Sequence, residues 1–253
     1  MNVRRSVALA TPLLILACGS PASPTTSASA SSVGAAVRSL DAGKLDSLPT
    51  GGVFVRVIKF VQPSGYTVKS KQHVPGFVYV ESGVHRLTLE GQSPIDVTGG
   101  QAKFHLSITH THFNPGPSTS TWYFIALWPS SSRGQPLVDA IARQMFPTDD
   151  FSPEQLPQGA YSEVLRQVTL AASGRSAAHR FGGLAAFFVL QGSLVVRSSQ
   201  GSVALSADEG AVYAPGVPVQ EINSAAGQTV YLEMMTTALG REFEVPLSQS
   251  PKG

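Results

Sequence analysis

Two stretches of this chain are versions of one another, and that repetition limits the folds open to it. Residues 76–92, "GFVYVESGVHRLTLEGQ", and residues 184–201, "LAAFFVLQGSLVVRSSQG", are β-rich runs, each split by a glycine, Gly83 in the first and Gly192 in the second. From Gly83 to Asn114 is 31 residues, and from Gly192 to Asn223 is also 31. "YSEVLRQVTLAASG", opening at Tyr161, likewise resembles the earlier "GVFVRVIKF". A period of about 109 residues means that one structural unit was laid down twice.

Within the unit, apolar and polar residues alternate, as in half-buried strands, and turn residues arrive every eight to twelve positions. That pattern predicts an all-β sandwich or barrel in each copy. The copies span 51–130 and 160–247. The 131–159 segment between them has the only helical spacing, Leu137, Val138, Ile141 and Met145, with Pro136 placed for a first turn. Pro147, Pro153 and Pro157 follow and forbid a long helix, so a linker with one short helix is expected.

The first residues give the compartment. Arg4 and Arg5 precede an apolar run from Val7 to Ala17, which reads as a secretory signal and is too short to span a bilayer. The end of that run, "LILAC", resembles a bacterial lipoprotein box. The resemblance implies a signal peptide at 1–17, lipidation of Cys18 and anchoring of an exported protein to the bacterial cell membrane. Cys18 is the sole cysteine, so the chain forms no internal disulfide. Small and polar residues dominate 19–37, and 18–50 is expected to be a lipidated, unstructured tether. With 18 Lys+Arg against 16 Asp+Glu and no basic cluster, nothing points to nucleic acid.

The doubled unit is similar to the two-domain cupins, the bicupins, and the resemblance covers Gly51 to about Pro246. It implies two jelly-roll barrels in tandem. Cupins have two motifs, Gly-x5-His-x-His-x3–4-Glu-x6-Gly and Gly-x5-Pro-x-Gly-x2-His-x3-Asn, whose three His and one Glu bind a divalent metal. In the first copy the second motif falls on Gly99, His110 and Asn114, with His105 and Ser107 in place of its Pro and Gly. The first motif's His positions fall on Ser70 and Gln72 and its Glu on Gly76, while His73 lies one residue off frame. In the second copy the frame gives Asp208, Ala214, Gly216, Val219 and Asn223 for the second motif. It gives His179, Phe181, Ala185 and Gly192 for the first. With one of four ligands left, this C-terminal barrel is expected to hold no metal, but an apolar pocket lined by Phe181, Phe187 and Val219.

Five of the six histidines lie between His73 and His112. If 104–112 is one strand, Phe104, Leu106, Ile108, His110 and His112 share a face, and their apolar company turns it inward. His105 then points the other way. Two imidazoles on one face can chelate an ion. His73 is the first choice for a third ligand and His85 a weaker one. Fe, Mn, Zn, Cu and Ni all accept imidazole. Tyr79, Asn114 and Trp122 are candidate pocket residues, and His112 can stack on Trp122 or Tyr123.

One reading is a metal-dependent, dioxygenase-like enzyme acting on a small organic molecule in the N-terminal barrel. The others are a non-catalytic small-ligand binder without metal, its histidines held by neighbouring hydroxyls, and a structural component, for example of a homodimer.

Overall fold

The computed structural model describes residues 32–68, 73–137, 139–248 and 251. Cys18, the signal and the expected tether as far as residue 31 lie outside them, as does Val138. No helix of the described residues is long and apolar enough to cross a membrane.

The chain is nearly all β. The first half contributes β1 (Val33–Leu45), β2 (Val53–Gln62), β3 (Thr67–Val68), β4 (Gly76–Ser82), β5 (Val84–Leu89), β6 (Ile95–Thr98), β7 (Ala102–His105), β8 (His110–Phe113), β9 (Ser120–Pro129) and β10 (Ala142–Pro147). The second contributes β11 (Tyr161–Arg175), β12 (His179–Phe181), β13 (Leu184–Gln191), β14 (Ser193–Ser198), β15 (Gly201–Ser206), β16 (Gly210–Tyr213), β17 (Pro218–Asn223), β18 (Thr229–Ala238) and β19 (Glu244–Pro246). Strands β4 to β9 have counterparts in β13 to β18, offset by about 109 residues.

The landmarks of the repeat are turn devices. Gly83 and Gly192 both sit at positive φ, 81° and 85°. A Cβ on Gly83 would meet Ser120, and one on Gly192 would meet the equivalent Thr229. Only glycine suits such a position. Asn114 donates its side-chain amide to Ser118 O and accepts from Gly116 N, and Asn223 does the same with Gly227 O and Ala225 N. Asn114, a candidate pocket residue, is therefore a loop cap: its amide is spent on backbone carbonyls.

All strand pairs among the described residues are antiparallel. The first half forms a five-stranded sheet, β10-β2-β9-β4-β7, and a four-stranded one, β3-β8-β5-β6. The second half forms a ten-stranded, nearly closed sheet along β15-β14-β17-β11-β18-β13-β16, with β1 on β11 and β12 bridging β17 and β19. One face of β2, β9 and β4 packs on the second half through Val55, Val57, Phe77, Tyr79, Tyr123 and Ile125 against Leu184, Ala186, Phe188, Leu232 and Met234. Each large side chain buried there contributes ~1.5–3 kcal/mol. Tyr79 belongs to this seam and not to a pocket, because alternation along β4 turns Val78 and Val80 inward instead.

Two segments depart from expectation. Val33–Leu45, within the expected tether, pairs with the whole of β11 as a long strand. Asp41 there accepts a hydrogen bond from Phe104 N, and a side chain at Gly43 would run into the Phe104 ring. In the linker, the expected helix is replaced by a 3-10 turn at Ser130–Ser132 and by β10, which pairs with Arg56–Phe60. The open edge of β2 offers hydrogen bonds that outweigh a weak helical pattern. Met145 and Phe146 also gain the seam core by it.

Candidate metal centre

Inside the first half the apolar core is small: Val78, Val80, Val97, Trp122, Phe124 and Ala126 are its fully buried members. Beside it the interior holds Leu87, Leu89, Gln62 and a cluster of imidazoles. His110 and His112 lie on β8, both buried and facing the same way, as their spacing predicts. His73 enters from the segment before β4, and one ring nitrogen from each of the three lies within 4.8 Å of the others.

His105 joins them, contrary to expectation. It is 2% exposed, its ring centroid 4.4 Å from that of His110 and 5.1 Å from that of His73. The parity argument failed because 104–112 is not one strand. β7 ends at His105 in one sheet, Ile108 N bonds Leu106 O across a tight turn, and β8 begins in the other sheet. For the same reason Leu106, expected inside, is 51% exposed.

Hydrogen bonds fix the tautomers. His73 Nδ1 lies 2.9 Å from Val74 O and His110 Nδ1 lies 2.6 Å from Ile108 O. A carbonyl only accepts, so both Nδ1 atoms carry the proton and both Nε2 atoms present lone pairs. Those two Nε2 atoms stand 2.8 Å apart. For His112 the assignment runs through a chain. Gln62 Nε2 donates to Tyr66 O and His112 O, so Gln62 Oε1 is the acceptor for Trp122 Nε1 and His85 Nδ1. His85 Nε2 is then the acceptor of a 2.9 Å bond from His112 Nδ1, leaving the lone pair of His112 on Nε2. His85 thus orients a ligand candidate instead of serving as one. Metal-binding histidines are held by such outer hydrogen bonds as a rule.

Burial keeps these rings neutral. It pushes His73 down to about 4 and His85 and His105 down to about 3, and lowers His112 well below the ordinary range, with neighbouring imidazoles adding to the effect; His110 is lowered by burial against its bond to Ile108 O. Neutral imidazole is the form that binds metal. The site meets the requirements of such an ion. Neighbouring donors on ~2.1 Å bonds stand about 3 Å apart, which matches the His73–His110 separation. The motif's missing glutamate has no substitute at Gly76, where a Cβ would meet Ala126 Cβ and Ile125 O at 2.7 Å.

The three histidines open into a cavity of about 500 Å³ walled by Arg56, Ile58, Phe60, Trp122, Phe124 and Trp128. Trp122 stacks on Phe60 (3.9 Å) and His112 (4.8 Å). Arg56, which the sequence reading passed over, is 5% exposed, bonds Gln135 O, lies over Trp128, and has no partner for Nε. Its signal was its place on β2, on the same strand face as Ile58 and Phe60. In the second half, Phe181, Phe187 and Val219 are at most 1% exposed and pack into one core. The expected apolar pocket there is filled by these same side chains.

No protein-family model matches the sequence, and no curated protein does. Among solved structures, the chain is similar to the Lactobacillus farciminis oxalate decarboxylase in its formate complex. The TM-score is 0.59 at 10% identity, over 83% of this chain and 88% of that one. It is similar also to Bacillus subtilis oxalate decarboxylase, a protein described by its Mn(II) centres. There the TM-score is 0.57 at 11% identity, over 88% of this chain and 82% of that one. These are cupin-fold proteins, and the chain has the cupin jelly-roll fold.

Proposed function

We propose that the chain is an exported, lipid-anchored protein of two tandem cupin barrels whose first barrel is a metal-dependent enzyme for a small organic acid. The observation that carries this reading is the convergence of three neutral imidazoles, each with Nδ1 occupied and Nε2 turned to a common point. His73, His110 and His112 would hold a divalent Mn, Fe, Zn, Cu or Ni ion. With only three protein donors, such an ion would have positions open and would supply a Lewis acid for the substrate's oxygen atoms. Three uncharged ligands leave the charge of the ion uncompensated, and Arg56 adds another positive charge to the cavity wall. An anionic substrate balances both. The guanidinium Nε of Arg56 is available to bind and orient a carboxylate. Ile58, Phe60, Phe124 and Trp128 keep water from the rest of the bound molecule. The oxalate decarboxylase fold supports a small carboxylate as the class of substrate.

The test is turnover. The chain, reconstituted separately with Mn2+ and Fe2+, is offered a panel of small mono- and dicarboxylates while carbon dioxide release and dioxygen uptake are followed. Turnover that disappears in His110→Ala and shows a raised KM in Arg56→Ala supports the reading. Tight binding of a small molecule without turnover under either metal contradicts it and favours a non-catalytic binding protein.

A further inference from the structure

The second half carries a buried polar cluster that the metal centre does not use. His179 on β12, Glu221 on β17 and Glu233 on β18 each place one donor atom within 4.8 Å of the other two. Glu221 is 1% exposed and Glu233 3%. His179 Nδ1 lies 2.9 Å from Ala177 O and so carries the ring proton when the ring is neutral, which leaves a lone pair on Nε2. That Nε2 and Glu221 Oε1 are buried with no hydrogen-bond partner among the described residues and stand 3.7 Å apart. Glu244 Oε1 lies 3.6 Å from the same nitrogen. Arg166 is the only fixed positive charge in contact, 2.6 Å from Glu244 and 3.6 Å from Glu233. Glu221 and Glu233 are buried and Glu244 is partly exposed, so two interior carboxyl groups share one guanidinium, and ionising both is costly without a further cation.

We propose that His179, Glu221 and Glu233 form a second divalent-cation site, with mixed imidazole and carboxylate donors. The cluster opens into a cavity of about 340 Å³, with room for water or a small ligand on the ion. Glu221 occupies in the second copy the place of His112 in the first, and Val219 that of His110. One ligand position is thus shared between the copies, with carboxylate in place of imidazole, while His179 and Glu233 have no ligand counterpart in the first site. Carboxylate donors select a harder cation than three imidazoles do, with Mn2+ a suitable member of the class. One such ion balances Glu221 and Glu233 when both are ionised, and gives Glu221 Oε1 and His179 Nε2 a partner.

The two sites share no residue, so the test isolates the second. The His110→Ala/His112→Ala variant, stripped of metal by chelation, is titrated with MnCl2 while the electron paramagnetic resonance signal of free Mn(II) is recorded. We expect about one equivalent bound, with a rise in melting temperature. Adding Glu221→Gln and Glu233→Gln should abolish both effects. If the histidine variant retains its circular dichroism spectrum yet binds no Mn2+, the cluster holds protons only and the proposal is overturned. Undiminished binding after the glutamine changes also overturns it. Should the combined variant fail to fold, Glu221→Gln/Glu233→Gln in the wild-type background must bind about one equivalent fewer than wild type; equal binding refutes the site.

Discussion

Glu163 offers a quantitative test of how this interior treats charge. It lies on β11, 1% exposed, and its Oε1 accepts a 2.8 Å hydrogen bond from the Thr236 hydroxyl. Burial pushes its carboxyl up from 4.5 to about 7, against the smaller opposing effect of that hydrogen bond. Between those values the folded chain keeps a proton that the unfolded chain has released. The contribution of Glu163 to stability must then fall as pH rises from about 4.5 to 7, and level off above. The displacement corresponds to ~3 kcal/mol at the upper plateau. Glu163→Gln keeps an acceptor for Thr236 and cannot ionise, so it should match wild type near the acid end and exceed it by ~3 kcal/mol at pH 8. For a chain of this size that is roughly 6–12 °C in melting temperature. Denaturant unfolding from pH 5 to 8.5, followed by the fluorescence of Trp122 and Trp128, measures the difference. A Glu163→Gln offset that is the same at pH 5 and pH 8 would refute the reasoning.

Other outcomes follow from the same geometry. Gln62→Leu strips the acceptor from Trp122 Nε1 and His85 Nδ1, so it should cost ~2–4 kcal/mol in denaturant unfolding and weaken metal binding roughly 10–100-fold by titration. Gly76→Ala drives a methyl group into Ala126 and the Ile125 carbonyl, and should lower stability by ~1–3 kcal/mol. Because His73, His85 and His105 are held neutral to about pH 3–4, their contribution is complete above pH 6.5. The metal-free chain should lose stability as pH falls from 6.5 towards 4, seen as a falling urea midpoint. Cys18→Ala should move the mature protein from the membrane pellet to the soluble fraction on cell fractionation.

What the sequence revealed was local. Alternation and the Gly83/Gly192 and Asn114/Asn223 pairs mark strands and turns because each acts within a few residues of itself. His110 and His112 share a face because only one residue separates them within one strand. His105 escapes the parity rule because a four-residue interruption of the strand, invisible to periodicity, leaves it in another sheet. β1 and β10 were missed because their partners lie more than a hundred and some eighty residues away, and an open sheet edge leaves no mark on the strand that will cover it. Glu233 stands between Leu232 and Met234, and Glu221 follows Gln220, as solvent-facing residues do, yet the fold buries both carboxyl groups.

The account stands on three imidazoles sharing one ion, and metal content tests it most directly. Untagged protein, dialysed against trace metals and analysed by plasma mass spectrometry, should hold a transition metal that His110→Ala/His112→Ala reduces by about one equivalent per chain. Metal content unchanged by that double substitution, in a variant that remains folded, would contradict it.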